Sequence, residues 1–220
     1  KGADLNLADI KGMTPLYGAI DMHTLGDTFG RPYPAPPVIE GSIPIVKMLL
    51  ARGANPNSRL KGPILKRVYD AGDGRLGEGA TPLMRAARKC DVTVMKLLLD
   101  AGADPKLTQK SGNNVLMLAA GAVTSGGDES QHVSEEQALA AIKIGVAAGI
   151  DVNEANATGD TVMHTAATTG GGLLSVIQFL ADSGARLDIK NKGDRTPLEA
   201  ARRARQPNEA TIALLERLSR

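Results

Sequence analysis

The chain has 220 residues, 42% of them hydrophobic and 23% charged, the proportions of a folded protein with its own core. Its formal charge of +2 is too small to argue for a nucleic-acid or anionic-membrane partner, and its single cysteine, Cys90, excludes an intrachain disulfide and a cysteine-rich zinc site. Aromatic residues make up only 2%, with no Trp, so the core must be built from Ala, Leu, Ile, Val and Met, which suits closely packed helices.

No apolar stretch reaches the length of a bilayer-spanning helix, and no signal-peptide pattern opens the chain. The opening KGADLNLADIKGMTPL instead looks like the middle of a repeating pattern, as expected of a piece of a longer chain. Thr14 can cap a first helix, and Pro15 after it costs no helical hydrogen bond. About 18 extra residues are then expected within 21–42, where Pro32, Pro34, Pro36 and Pro37 favour an extended, semi-rigid segment over a helix. IVKMLL (45–50) has the apolar spacing of a second helix, and Gly53 ends it where a left-handed backbone is cheap.

About 16 further residues lie within 58–79, ahead of TPL at 81–83. Among them Gly72, Gly74 and Gly77 satisfy G-x-G-x-x-G, the spacing of a dinucleotide-binding turn. Asp73 and Glu78 would repel a phosphate, however, and no run of apolar residues precedes the glycines as a strand should. The glycines are therefore expected to belong to an enlarged hairpin. VMKLLL (94–99) and Gly102 repeat the second helix and its stop, and NVL at 114–116 begins the next unit. A polar, acidic stretch of about 14 extra residues follows within 121–137. Gly149 precedes TVM at 161–163, and Gly184 precedes TPL at 196–198. The last unit carries Arg202, Arg203, Arg205, Glu209, Glu216 and Arg217 among its apolar positions, as a capping unit with a polar outer face would.

The helix starts Thr14, Thr81, Asn114, Thr161 and Thr196 are 67, 33, 47 and 35 residues apart, and removing the three insertions leaves 33, 33, 33 and 35, a period of 33 with two extra residues in the last unit. Five residues after each start stands an alanine: Ala19, Ala86, Ala119, Ala166 and Ala201. On these columns the chain resembles the ankyrin-repeat family, whose unit is a hairpin loop and two antiparallel helices of about 33 residues. The resemblance implies an all-α repeat solenoid: one domain over 1–220, about five repeats, insertions near 22–42, 58–79 and 122–135, and an incomplete N-terminal repeat. The long insertions are similar to those of bacterial members of the family, some of which are exported. That compartment is an expectation only.

Nothing in the residues points to catalysis, a cofactor or a metal. His23, His132 and His164 lack a second ligand at helical spacing, and no G-x-S-x-G, H-E-x-x-H or P-loop pattern occurs. The resemblance makes His164, in TVMHTAA, a structural brace of its hairpin, and sets Cys90 where the family usually has glycine after the first helix. A buried or half-buried, unreactive thiol is expected there.

The resemblance further implies a non-enzymatic module that binds a protein partner through hairpin tips and first-helix ends on a concave face. By register those positions are Ile10, Lys11, Met13 and Asp21; Glu78, Ala80, Arg88 and Lys89; Lys110, Ser111 and Asn113; Ala157, Thr158, Asp160, Thr168 and Thr169; and Lys192, Arg195 and Arg203. Asp194 replaces the tip glycine of the last hairpin. Phe29, Tyr33 and Tyr69, three of the five aromatics, fall in the first two insertions and offer contact area to a partner or to the flank of the solenoid. Two other functions are kept open: a self-associating, filament-forming scaffold joined through the uncapped N-terminal face, and a substrate-recruiting segment of a larger protein. Neither nucleic acid nor membrane is expected as a partner.

Overall fold

A computed structural model describes residues 2–23, 36–63, 75–123, 133–170 and 172–220, the side chains of 36–41 excepted. Among them are ten helices and no strand: α1 (Pro15–His23), α2 (Pro36–Ala51), α3 (Pro82–Arg88), α4 (Val92–Asp100), α5 (Val115–Ala120), α6 (Glu135–Ala147), α7 (Val162–Thr168), α8 (Leu174–Asp182), α9 (Pro197–Arg202) and α10 (Glu209–Leu218). The odd helices pack in a row, each on the next, and the even helices form a second row behind them. The result is an all-α solenoid of five helix pairs.

The repeating columns have clear local causes. Thr81 and Asn114 accept the N–H groups of Met84 and Met117, Thr14 accepts that of Tyr17, and Thr196 forms a reciprocal capping box with Glu199. Each satisfies a donor that the first turn leaves without a partner. The alanine column lies where the rows meet: Ala86, Ala119 and Ala166 are 0% exposed and Ala201 1%. A larger side chain there would push neighbouring units apart. Gly53, Gly102, Gly149 and Gly184 take φ between +85° and +87° at the ends of second helices. Cys90 and Asp194 adopt the same hand, at +52° and +56°.

Between repeats, the hairpins are laced by a backbone ladder. Lys61 N–H donates to Lys11 O, Lys110 to Glu78 O, Ala157 to Ser111 O and Lys192 to Thr158 O, at 2.8–2.9 Å. Four hairpins close over five residues, as where Gln109 N–H donates to Asn113 O; in the second, Leu60 N–H donates to Ala80 O at 2.9 Å instead. The extra chain therefore leaves and re-enters between Lys61 and Glu78, and both flanks keep the regular register. Its base is docked: Leu76 is 1% exposed, and the Arg75 carbonyl accepts Gln109 Nε2 at 2.9 Å.

One local expectation is corrected. Pro36 and Pro37 do not extend the chain but open α2, the longest helix at 16 residues. A proline in the first turn removes only an N–H that has no helical partner, and its φ is already helical. Pro44 sits farther inside the same helix and gives up one hydrogen bond there.

Candidate protein-binding surface

The hairpin tips form one exposed row. Ile10 is 88% exposed, and Glu78, Lys110, Ser111, Ala157, Thr158, Lys192 and Arg195 are exposed with it, while Lys11 and Asp160 are half-buried. The ladder beneath them fixes the backbone, so the row is preorganised. Asp160 braces two tips: its carboxylate accepts Asn191 Nδ2 and Thr158 Oγ1, both at 2.7 Å. Lys110 and Glu78 pair across tips at 2.7 Å but remain 75% and 50% exposed, so solvent weakens the pair to at most about 1 kcal/mol. Among the first-helix ends, Thr168 and Arg203 are exposed and Lys89 and Thr169 half-buried.

Several residues assigned to this surface by register serve other ends. Asp21 is 4% exposed and accepts Arg85 Nε at 2.8 Å, so it faces α3 and not a partner. Ala80 is fully buried, Met13 packs half-buried against the core, and half-buried Arg88 reaches the Gly121 carbonyl at 3.1 Å. Phe29, Tyr33 and Tyr69, with Gly72 and Gly74, lie outside the described residues.

Charge is unevenly shared between the two rows. Tips and first-helix ends carry Lys11, Lys61, Arg88, Lys89, Lys110, Lys192, Arg195 and Arg203 against Glu78 and Asp160. Asp9 and Asp194 stand exposed among them: Asp9 accepts the N–H groups of Lys11 and Met13, and Asp194, its side chain 83% exposed, pairs with Lys190. Second helices and the turns after them hold Asp100, Asp104, Glu135, Glu136, Asp151, Glu154, Asp182, Asp188, Glu209 and Glu216 among fewer cations. The net charge of only +2 is thus unevenly spread, with the tips and first-helix ends the more basic part.

His164 is 1% exposed and joins successive hairpins. Its Nδ1 accepts the Thr161 N–H at 3.2 Å, so the proton resides on Nε2, which donates to the Arg195 carbonyl at 3.0 Å. Cys90 is 5% exposed with Sγ 3.7 Å from the Ala119 carbonyl. Burial pushes its thiol up to about 12, against a smaller opposing pull from Arg88. At pH 8 only about one thiol in ten thousand is then ionised. Ellman's reagent is expected to label Cys90 in urea but hardly at all in the native protein, and rapid native labelling would contradict that burial.

A second histidine makes a contact that no sequence pattern announced. His23, ending α1, has Nε2 3.0 Å from Asp91 Oδ2 and Nδ1 2.5 Å from Ser42 Oγ. Asp91 also caps α4 by accepting the Val94 N–H. Serine, histidine and aspartate in hydrogen-bond sequence is the order of a hydrolytic triad. Here Ser42 is 6% exposed inside α2, where backbone N–H groups are committed along the helix and cannot line an oxyanion hole. The relay is a joint between α1, α2 and α4. Among the described residues no cluster of His, Cys, Asp or Glu could hold a metal ion, and no helix is long and apolar enough to cross a membrane.

Comparison with known families agrees with the geometry. The model described as ankyrin repeat matches residues 11–61, and that described as ankyrin repeats (3 copies) matches 38–125. Together they cover more than half the chain, and the same hairpin and helix pair continue to residue 218. The chain belongs to the ankyrin-repeat family, whose repeats are general modules of protein–protein interaction and typically not catalytic.

Proposed function

We propose that the chain captures a protein partner on its hairpin tips and first-helix ends, and that the segment between Lys61 and Glu78 enlarges that surface. The observation that carries this reading is the ladder: exposed tip side chains stand on a backbone already fixed by inter-hairpin hydrogen bonds. Contacts made there lose little further conformational freedom on binding. Deleting residues 62–77 joins Lys61 to Glu78 and restores a five-residue hairpin like the other four. The variant should fold with the helical spectrum of the parent, losing about 2 kcal/mol for the buried Leu76, and should no longer retain a partner crosslinked at Thr158. Undiminished capture would remove the loop from the binding surface.

A second reading rests on the first helix pair. Ile45 and Met48 on α2 are 47% and 44% exposed, and Leu7 and Ile10 in the hairpin before α1 are 72% and 88% exposed. If copies associate through them, light scattering should show mass rising with concentration, and Ile45→Glu with Met48→Glu should return it to one chain's mass. A constant value near 22.9 kDa in the parent would refute self-association.

A further inference from the structure

A recess of about 260 Å³ opens on the hairpin-tip face between α7 and α9, lined by His164 and Thr168 on one side and by Arg195 and Arg203 on the other. Most of its polar groups already have partners. His164 Nε2 donates to the Arg195 carbonyl, and the Thr168 hydroxyl donates to the His164 carbonyl at 2.9 Å. Asp160, also on the wall, has both carboxylate oxygens engaged by Asn191 and Thr158. The guanidinium groups of Arg195 and Arg203 are different: neither hydrogen-bonds nor pairs with an acid among the described residues. Nearby arginines do find acids, Arg202 on Glu216 at 2.7 Å and Arg186 on Asp188 at 2.8 Å.

A carboxylate seated in the recess against two guanidinium groups that have no acid of their own among the described residues would accept hydrogen bonds from their planar donors and neutralise their charge. We infer that this recess anchors a glutamate or aspartate side chain of the partner, and that the partner segment lying along the tips is acidic. The inference rests on the hairpin-tip reading and adds the chemistry of what binds there. The basic row running toward Lys11 extends the same complementarity beyond the recess.

The test uses a fluorescein-labelled peptide of eight glutamates, followed by anisotropy at low ionic strength, where screening is weak. Both arginines are exposed and hold their neighbours only through main-chain atoms, so Arg195→Gln with Arg203→Gln should fold normally. Lys143→Gln with Arg217→Gln removes equal charge from the opposite row. The parent and the second variant should bind the peptide alike, and the first variant about tenfold more weakly. Absence of binding by the parent overturns the inference, as does equal weakening in both variants. So does tighter binding of a 20-nucleotide single strand of DNA with the same arginine dependence. Should a crosslinked partner be lost on altering Thr158 while the arginine variant retains it, the acidic anchor fails and the hairpin-tip reading stands. If the peptide binds through the arginines but altered tips still capture the partner, the hairpin-tip reading fails instead.

Discussion

Asp21→Ala is expected to destabilise the chain by about 3–5 kcal/mol, among the largest losses available from one side chain. Asp21 lies in the last turn of α1 and Arg85 in α3, and their side chains are only 6% and 5% exposed. Truncating the aspartate leaves the guanidinium buried without its counter-charge, and Arg85 Nη1 already has no hydrogen-bond partner among the described residues. Replacing both members with apolar residues of similar size, as Asp21→Leu with Arg85→Met, removes the buried charge altogether. That double variant should fall within about 1 kcal/mol of the parent or exceed it. Urea is the denaturant of choice, since a salt would screen the term being measured. In a solenoid each repeat is stabilised largely by its neighbours. Amide exchange in α1 and α2 should therefore rise before that in α5 to α10. A single variant as stable as the parent would mean that water reaches the pair.

The fate of Asp21 marks the boundary of what the residues alone disclose. Its column was legible: the caps, the alanines and the left-handed glycines recur at fixed offsets because each answers a local demand of the backbone. From them came the family, the all-α solenoid and the bracing role of His164. The burial of Asp21 was not legible. At the end of a first helix the family commonly places contact residues, and its partner Arg85 stands 64 positions away beyond two insertions. Pairing across that distance depends on how α1 and α3 face each other, which no period reports. The same holds for His23, Ser42 and Asp91, brought together from three helices with nothing shared in their spacing. Pro36 and Pro37 misled for a different reason. Four prolines within six residues read as extended chain, yet a proline in the first turn is as compatible with a helix as with its absence. The charge of the tip row was half legible, because its cations could be named by register but not which of them find an acid, as Lys110 finds Glu78.

Gly112→Ala should lower stability by about 2–4 kcal/mol, whereas Gly102→Ala should cost only about 1 kcal/mol, although both glycines have nearly the same backbone. Gly112 has φ +77° and Gly102 φ +85°, so the penalty of a left-handed alanine is common to the two. They differ in what lies beyond the missing side chain. At Gly102 a Cβ would meet nothing within 4 Å. At Gly112 it would stand 2.8 Å from both Ala157 N and Asn156 Cα, main-chain atoms of the next hairpin. Relief requires that hairpin to withdraw, which strains the Ala157 N–H bond to the Ser111 carbonyl. Gly12 and Gly159 face the same obstacle, Gly12 against Arg59 O and Lys61 N, Gly159 against Lys192 N. Asp194 is the natural control. It occupies the equivalent site in the last described hairpin at φ +56°, where its side chain is 83% exposed and no other hairpin packs against it among the described residues. If thermal melts showed equal losses for Gly112→Ala and Gly102→Ala, the glycine at each tip would be explained by its turn alone. A clear excess at Gly112 would assign it to the close approach of hairpins that holds the tip row in place, and would make that spacing a condition for any partner bound along it.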